Sequence, residues 1–148
     1  MMSIQKQIDE RTKKVNVGAD LGSVRILVVD DDPAIRDLLR LILEMENFEI
    51  EVAPDGQGAL SLLERIEKPD LILLDLMMPT MNGWQLYSAL QEDARFRDIP
   101  VVVMTAYSSH EIEMPPVDIL PKPIEFPRLL ELVEKYRPAS KLRADWQH

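Results

Sequence analysis

The sequence predicts a doubly wound α/β fold, in which five parallel strands are covered by helices on both faces. Three observations lead to it. Runs such as 26–29 and 71–74 are apolar throughout, so strands built from them must be buried on both sides, as in a covered parallel sheet. These runs alternate with segments of helical periodicity, the signature of repeated β-α units with right-handed crossovers. They also end on Asp30, Asp75, Thr105 and Lys122, at the carboxyl edge where open parallel sheets bind ligands.

In order along the chain, residues 1–23 carry only Ile4, Ile8 and Val15 as spaced apolar residues, followed by Gly18 and Gly22. That pattern is too sparse to make a good amphipathic face, and it predicts a flexible or weakly helical extension. The first strand is predicted over 25–29. Pro33 suits the first turn of a helix with Asp32 as its N-cap, and Ile35, Leu38, Leu39, Ile42 and Leu43 follow at helical spacing. Residues 48–52 alternate apolar and polar, an edge-strand pattern closed by a turn at Pro54-Asp55-Gly56. A second helix is predicted over 57–67 with Leu60, Leu63 and Ile66 inward, and the third strand over 70–74. A third helix spans 84–92, capped by Asn82 or Thr80, with Trp84 as partly exposed packing on its first turn. The fourth strand is expected at 99–104, a short fifth at 117–120, and a last helix at 125–136 closed by Pro138. The expected organisation is an extension (1–23), one domain (24–137) and a tail (138–148) too short for an effector domain.

Composition narrows the function. With 148 residues, 46% hydrophobic and 29% charged, there is room for one domain with a real core. No apolar stretch is long enough to span a bilayer, and residues 1–14 lack the apolar core of a secretory signal. There is no cysteine, hence no disulfide scaffold, which suits a reducing cytoplasm. A net charge of -9 disfavours non-specific nucleic-acid binding and suits a protein partner or a cation. The expected setting is therefore cytoplasmic, with no nucleic acid and no membrane.

The chemistry gathers at the strand ends. Asp30-Asp31-Asp32 follows the first strand, Asp75-Leu76-Met77-Met78-Pro79 the third, Thr105-Ala106 the fourth and Lys122-Pro123 the fifth. Carboxylates from two strands at one edge repel one another unless a cation or raised pKa values relieve them. This constellation resembles the receiver domain of bacterial two-component response regulators, with five motif elements in the right order across about 24–137. The resemblance implies a flavodoxin-like three-layer sheet in the order 2-1-3-4-5. It implies Asp75 as acceptor of a phosphoryl group from a sensor histidine kinase or histidine phosphotransfer protein. It further implies a Mg²⁺ (or Mn²⁺) site with Asp31 as direct ligand, Asp30 acting largely through water, Asp75, and the backbone carbonyl of Met77. Thr105 and Lys122 match the family's hydroxyl and lysine at the phosphate, and a cis peptide is implied at Lys122–Pro123.

Each role has a physical reason. A carboxylate attacking a phosphoryl group needs both charges neutralised, and Mg²⁺ prefers one or two carboxylates with water and phosphate oxygens. Lys122 supplies a point charge, Thr105 a hydroxyl donor, and Ala106 leaves room above the acceptor. No further acid-base machinery is needed, because phosphoryl transfer depends on positioning and charge. The chain thus reads as a stand-alone switch or phosphorelay intermediate, and as no enzyme beyond its own phosphorylation and dephosphorylation.

Blander roles go to other residues: Asn82-Gly83 is a turn, Met77, Met78 and Met81 are packing and loop residues, and His110 is a lone histidine in a polar stretch rather than a phosphate donor. Gly56-Gln57-Gly58 lacks the Lys-Ser/Thr ending of a phosphate loop.

Two rivals stand beside this reading. A haloacid-dehalogenase-type phosphatase could start from Asp30-Asp31-Asp32, but Pro33-Ala34 follows where that family has Thr or Val, and no cap insertion is present. A pseudo-receiver would bind partners without phosphate, but Asp31, Asp75, Thr105 and Lys122 are all retained. Two departures from the family affect output. Ile119 replaces the aromatic residue three positions before the lysine, leaving Tyr107 as the nearby substitute. Pro115-Pro116 forces the residues before it to be extended, so 108–113 has room for a turn or two. The fourth crossover helix is expected to be shortened or missing, which would reshape the surface it builds in ordinary receivers.

Overall fold

The structure, a computed structural model, describes residues 22–78, 80–106 and 117–141. Its strands are β1 (Arg25–Val29), β2 (Glu49–Ala53), β3 (Leu71–Asp75), β4 (Val101–Thr105) and β5 (Asp118–Pro121). Its helices are α1 (Pro33–Met45), α2 (Gly56–Leu63), α3 (Gly83–Glu92) and α4 (Phe126–Lys135). All four strand pairings are parallel, in the order β2-β1-β3-β4-β5.

Period-two alternation sorts the strand residues into two cores. On one face Ile26, Val28, Leu71, Leu73, Val102, Met104 and Leu120 pack against Leu39 and Leu43 of α1 and Leu129, Leu132 and Val133 of α4. On the other, Leu27, Val29, Ile72, Leu74, Val101 and Val103 pack against Ala59 and Leu63 of α2 and Leu86 and Leu90 of α3. Every residue of β3 and β4 is buried, as the continuous apolar runs require. Each such Leu, Ile or Val contributes about 1.5–3 kcal/mol on burial, so these two strands anchor the edge at which Asp75 and Thr105 sit.

Local chemistry sets the element ends. Asp32 caps α1, its Oδ1 accepting from the N–H of Ala34 at 2.9 Å, with Pro33 in the first turn. Asn82, rather than Thr80, caps α3, and a reciprocal hydrogen bond from its own N–H to Gln85 completes a capping box. Pro54-Asp55-Gly56 is more than a turn: Asp55 caps α2 through the N–H of Gly58 at 2.7 Å.

Several predicted boundaries move. β2 lies one residue later than 48–52, and Phe48 is buried as the lead-in. α2 stops at Leu63 instead of reaching residue 67; the N–H groups of Arg65 and Ile66 both turn back to the Leu62 carbonyl, and Pro69 then excludes helical angles at Lys68. Ile66 consequently lies half-buried beyond the helix, while Ala59 joins Leu63 in the core. β4 starts at Val101 rather than residue 99, because Pro100 has no N–H for a central ladder. Leu38, which fits the apolar spacing of α1, is 41% exposed. The fourth crossover (107–116), Tyr107, His110 and the extension (1–21) lie outside the described residues. Among the described residues no helix is long and apolar enough to cross a membrane.

Candidate acidic site at the carboxyl edge of the sheet

Parallel pairing of β1, β3, β4 and β5 brings their carboxyl ends to one edge, and a cleft of about 520 Å³ opens there. Asp30, Asp31, Asp75, Met77, Ala106 and Lys122 line it. Asp30 is fully buried where β1 ends. One of its carboxylate oxygens accepts from the N–H of Asp32 at 2.9 Å and the other from Lys122 Nζ at 2.9 Å. Arg36, one turn into α1, donates to the Asp30 carbonyl at 2.7 Å and so ties the helix to this corner. Asp31 is exposed toward the cleft mouth.

Asp75 is the last residue of β3 and is 4% exposed. Its Oδ1 accepts from the N–H of Met77 at 3.1 Å, and its Oδ2 lies 3.5 Å from Lys122 Nζ. Burial is the main reason its carboxyl is pushed up to about 6; the Met77 N–H opposes the shift, Asp30 adds to it, Lys122 opposes it and Asp31 adds to it. Burial disfavours the charged Lys122, but the hydrogen bond to Asp30 and the nearby carboxylates outweigh it and hold the ammonium above its ordinary pKa. The lysine's backbone is fixed too: its N–H donates to the Thr105 carbonyl at 2.9 Å, and the peptide to Pro123 is cis, as the resemblance implied.

The structure therefore gathers Asp30, Asp31, Asp75, Met77 and Lys122 around one cleft. Thr105 ends β4 beside them but is 1% exposed and is not among the lining residues. Exposed Ala106 leaves the cleft open above Asp75. Oxygens of Asp30, Asp31 and Asp75 lie within 4.8 Å of one another. An all-oxygen donor set of carboxylates with an open side fits a hard divalent cation that keeps water ligands. Met77 exposes 55% of its surface while Met78 is buried and Met81 half-buried, which agrees with loop and packing roles for all three.

Sequence reasoning passed over two residues that build this corner. Arg36 looks like any surface arginine on α1. Gly83 was read as a turn residue, yet a Cβ there would come within 2.6 Å of both the Asp75 carbonyl oxygen and Leu76 Cα. Its N–H donates to the Leu76 carbonyl at 3.0 Å, so α3 packs its first residue directly onto the backbone that carries Asp75. Thr80, in the same loop, takes the left-handed region at φ 66°, which is rare for a β-branched residue.

A doubly wound sheet with paired carboxylates, a central Asp and a Lys at one edge defines a response-regulator type of signalling domain. Residues 26–134 match the family model described as the response regulator receiver domain, and the chain belongs to that family. It is 41% identical over 121 residues to an uncharacterised 14.6 kDa protein in the sodA1 3' region of Leptolyngbya boryana, covering 78% of this chain and 92% of that protein. It is 45% identical over 82 residues to the DNA-binding dual master transcriptional regulator RpaA of Synechocystis, covering 55% of this chain and 34% of the regulator. The chain thus spans about a third of that relative's length. Among solved structures, the chemotaxis protein CheY4 of Vibrio cholerae superposes with a TM-score of 0.72 at 26% identity, over 78% of this chain and 99% of that one. The signal receiver domain of a histidine kinase from Syntrophus aciditrophicus gives 0.71 at 30% identity, over 82% and 99%. Receiver domains are signalling switches rather than enzymes, and they work with histidine kinases or phosphotransfer proteins.

Proposed function

We propose that this chain is a stand-alone receiver that takes a phosphoryl group onto Asp75 from the phosphohistidine of a sensor histidine kinase or histidine phosphotransfer protein. The observation that carries this is the setting of Asp75: 4% exposed at the foot of an open cleft, 3.5 Å from Lys122 Nζ and grouped with Asp30 and Asp31. An Asp75 carboxylate oxygen forms the new bond to phosphorus as the P–N bond to the imidazole, protonated at its other ring nitrogen, breaks, leaving an acyl phosphate and a neutral imidazole. Lys122 offers its ammonium to a phosphoryl oxygen, and Thr105, at the end of the neighbouring strand, is the hydroxyl for another. Asp31, Asp75 and the Met77 carbonyl would hold Mg²⁺ or Mn²⁺ directly, with Asp30 acting largely through water. The cation supplies charge neutralisation between the acceptor and the incoming phosphoryl oxygens.

The domain occupies 24–137, with 1–23 as an extension and 138–148 as a tail, and it works in the cytoplasm as a switch or relay intermediate. Likeness across 92% of a 14.6 kDa relative supports the stand-alone reading. The chain's charge of -9 supports a protein target rather than nucleic acid. Incubation with acetyl phosphate and Mg²⁺ tests the reading: intact mass should rise by one phosphoryl group that hydroxylamine removes, and Asp75→Asn should abolish the rise. Equal phosphorylation of Asp75→Asn would move the acceptor elsewhere. No phosphorylation by any donor would favour a protein-interaction module.

A further inference from the structure

Asp30 is held through both carboxylate oxygens and its backbone carbonyl, and one of the partners stands outside the cleft. The Asp32 N–H and Lys122 Nζ each donate to a carboxylate oxygen at 2.9 Å, while Arg36 Nη1 donates to the carbonyl at 2.7 Å. Asp32 and Lys122 line the cleft; Arg36 does not.

The local chain explains why a side chain must supply this bond. Asp30 lies one residue past the end of β1 and is fully buried, so its carbonyl has left the ladder without reaching water. Pro33 has no N–H to offer. The N–H groups of Ala34 and Arg36 are already taken by the Asp32 side chain and carbonyl. Among the described residues the only donor to the Asp30 carbonyl is the Arg36 guanidinium. Helical side chains lean toward the N-terminus, which brings a long arginine one turn into α1 back to the end of β1. At 2.7 Å this is a charge-assisted bond, shorter and stronger than one between neutral groups.

That carbonyl belongs to the peptide joining Asp30 to Asp31. We infer that Arg36 is a positioning residue for the acid cluster: by fixing this peptide it sets where the Asp31 carboxylate points, and so how well Asp31 and Asp75 hold a divalent cation. The cation's part in this rests on the metal reading proposed above; the anchoring of the peptide does not. Arg36 touches neither the cation nor the phosphoryl group and acts through the backbone of Asp30. Partners of this outer kind commonly govern metal affinity by about tenfold or more.

Charge alone works in the opposite direction. Arg36 is a cation beside a group of acids, so deleting it purely as a charge should draw Mg²⁺ in more tightly. Arg40 provides the control. It is half-buried on the same helix, and its guanidinium is turned to the Ile50 carbonyl of edge strand β2 at 3.4 Å.

Titration calorimetry of the full-length chain with Mg²⁺, without a phosphoryl donor, tests the role. Arg36→Met should bind Mg²⁺ about tenfold more weakly than wild type, and Arg40→Met should stay within about twofold. Arg36→Lys keeps a charged donor on a long stem and should stay within about threefold. In EDTA, hydrogen exchange at the Asp32 amide should be read against the Gly58 amide, which bonds Asp55 Oδ1 in the same manner on α2. That ratio cancels any general loss of stability, and it should rise by about fivefold or more in Arg36→Met but not in Arg40→Met. Unchanged or tighter Mg²⁺ binding by Arg36→Met would overturn the inference. So would an equal loss in Arg40→Met, or an Arg36→Lys no better than Arg36→Met. A wild type that binds no Mg²⁺ sinks the metal reading instead, and the exchange ratio then decides alone whether Arg36 holds Asp30. An unchanged ratio would overturn the anchoring in either case.

Discussion

Lys122 Nζ lies 2.9 Å from Asp30 Oδ2 and 3.5 Å from Asp75 Oδ2, so the lysine is bonded to Asp30 and only leans toward Asp75. One ammonium thus partly neutralises two buried acids. Lys122→Met removes it and leaves them facing each other. Losing one partner of a buried pair costs up to about 3–5 kcal/mol; because Lys122 remains 25% exposed, a loss of about 1–3 kcal/mol is expected without divalent cation. Mg²⁺ should restore much of it and should bind the variant more tightly than wild type. Urea denaturation with and without Mg²⁺ checks this. A variant as stable as wild type in EDTA would show that Asp30 and Asp75 are relieved in another way.

Asp75 gives the fold a pH dependence of defined sign. Its folded pKa, about 6, stands above the ordinary 3.8, so the folded state holds the proton more tightly than the unfolded chain. This group's contribution is therefore fully present below about pH 4 and is lost as pH rises through about 6, by at most about 3 kcal/mol. Without metal, Asp75→Asn should gain stability over wild type progressively from about pH 4 to about pH 6 and then level off. Mg²⁺ binding, which takes the ionised carboxylate, should strengthen over the same interval. A stability difference between the two proteins that does not change with pH would contradict the shift.

Asp31 is the exposed member of the acid cluster, and no hydrogen bond to the fold depends on its carboxylate among the described contacts. Asp31→Asn should be at least as stable as wild type in EDTA, since it removes one like charge, while Mg²⁺ affinity drops by roughly tenfold or more. Calorimetry reads both. Unchanged affinity would place the direct ligand elsewhere.

Gly83 is set by contact, not by turn geometry. Gly83→Ala places a methyl group 2.6 Å from the Asp75 carbonyl oxygen and from Leu76 Cα, both backbone atoms that cannot swing aside. A loss of about 1–3 kcal/mol is expected, as for overpacking in a dense core. Phosphorylation by acetyl phosphate should slow as the loop carrying Asp75 shifts. Full stability and full rate in Gly83→Ala would show that α3 can move off this loop without consequence.

The elements themselves were legible from the chain. Apolar runs of strand length, helical spacing, and Pro33 behind Asp32 are local signals, and they predicted β1 over the same residues the structure shows. The site's acids were legible as well, because strand ends of a parallel sheet must meet at one edge. Boundaries were harder. Pro100 and Pro69 lay in plain view, but which residue begins a strand depends on which N–H groups a neighbouring strand demands. Leu38 fitted the apolar spacing of α1 and still fell outside the core, because the helix's rotation on the sheet decides which apolar residues are covered. Distances at the cleft belong wholly to the tertiary structure. That Lys122 bonds Asp30 before Asp75, that Arg36 anchors Asp30, and that Gly83 packs on the backbone of Asp75 all join residues far apart in sequence or on different elements. Local pattern determines which side chains arrive at the edge; only the packing of helices and strands determines which of them touch.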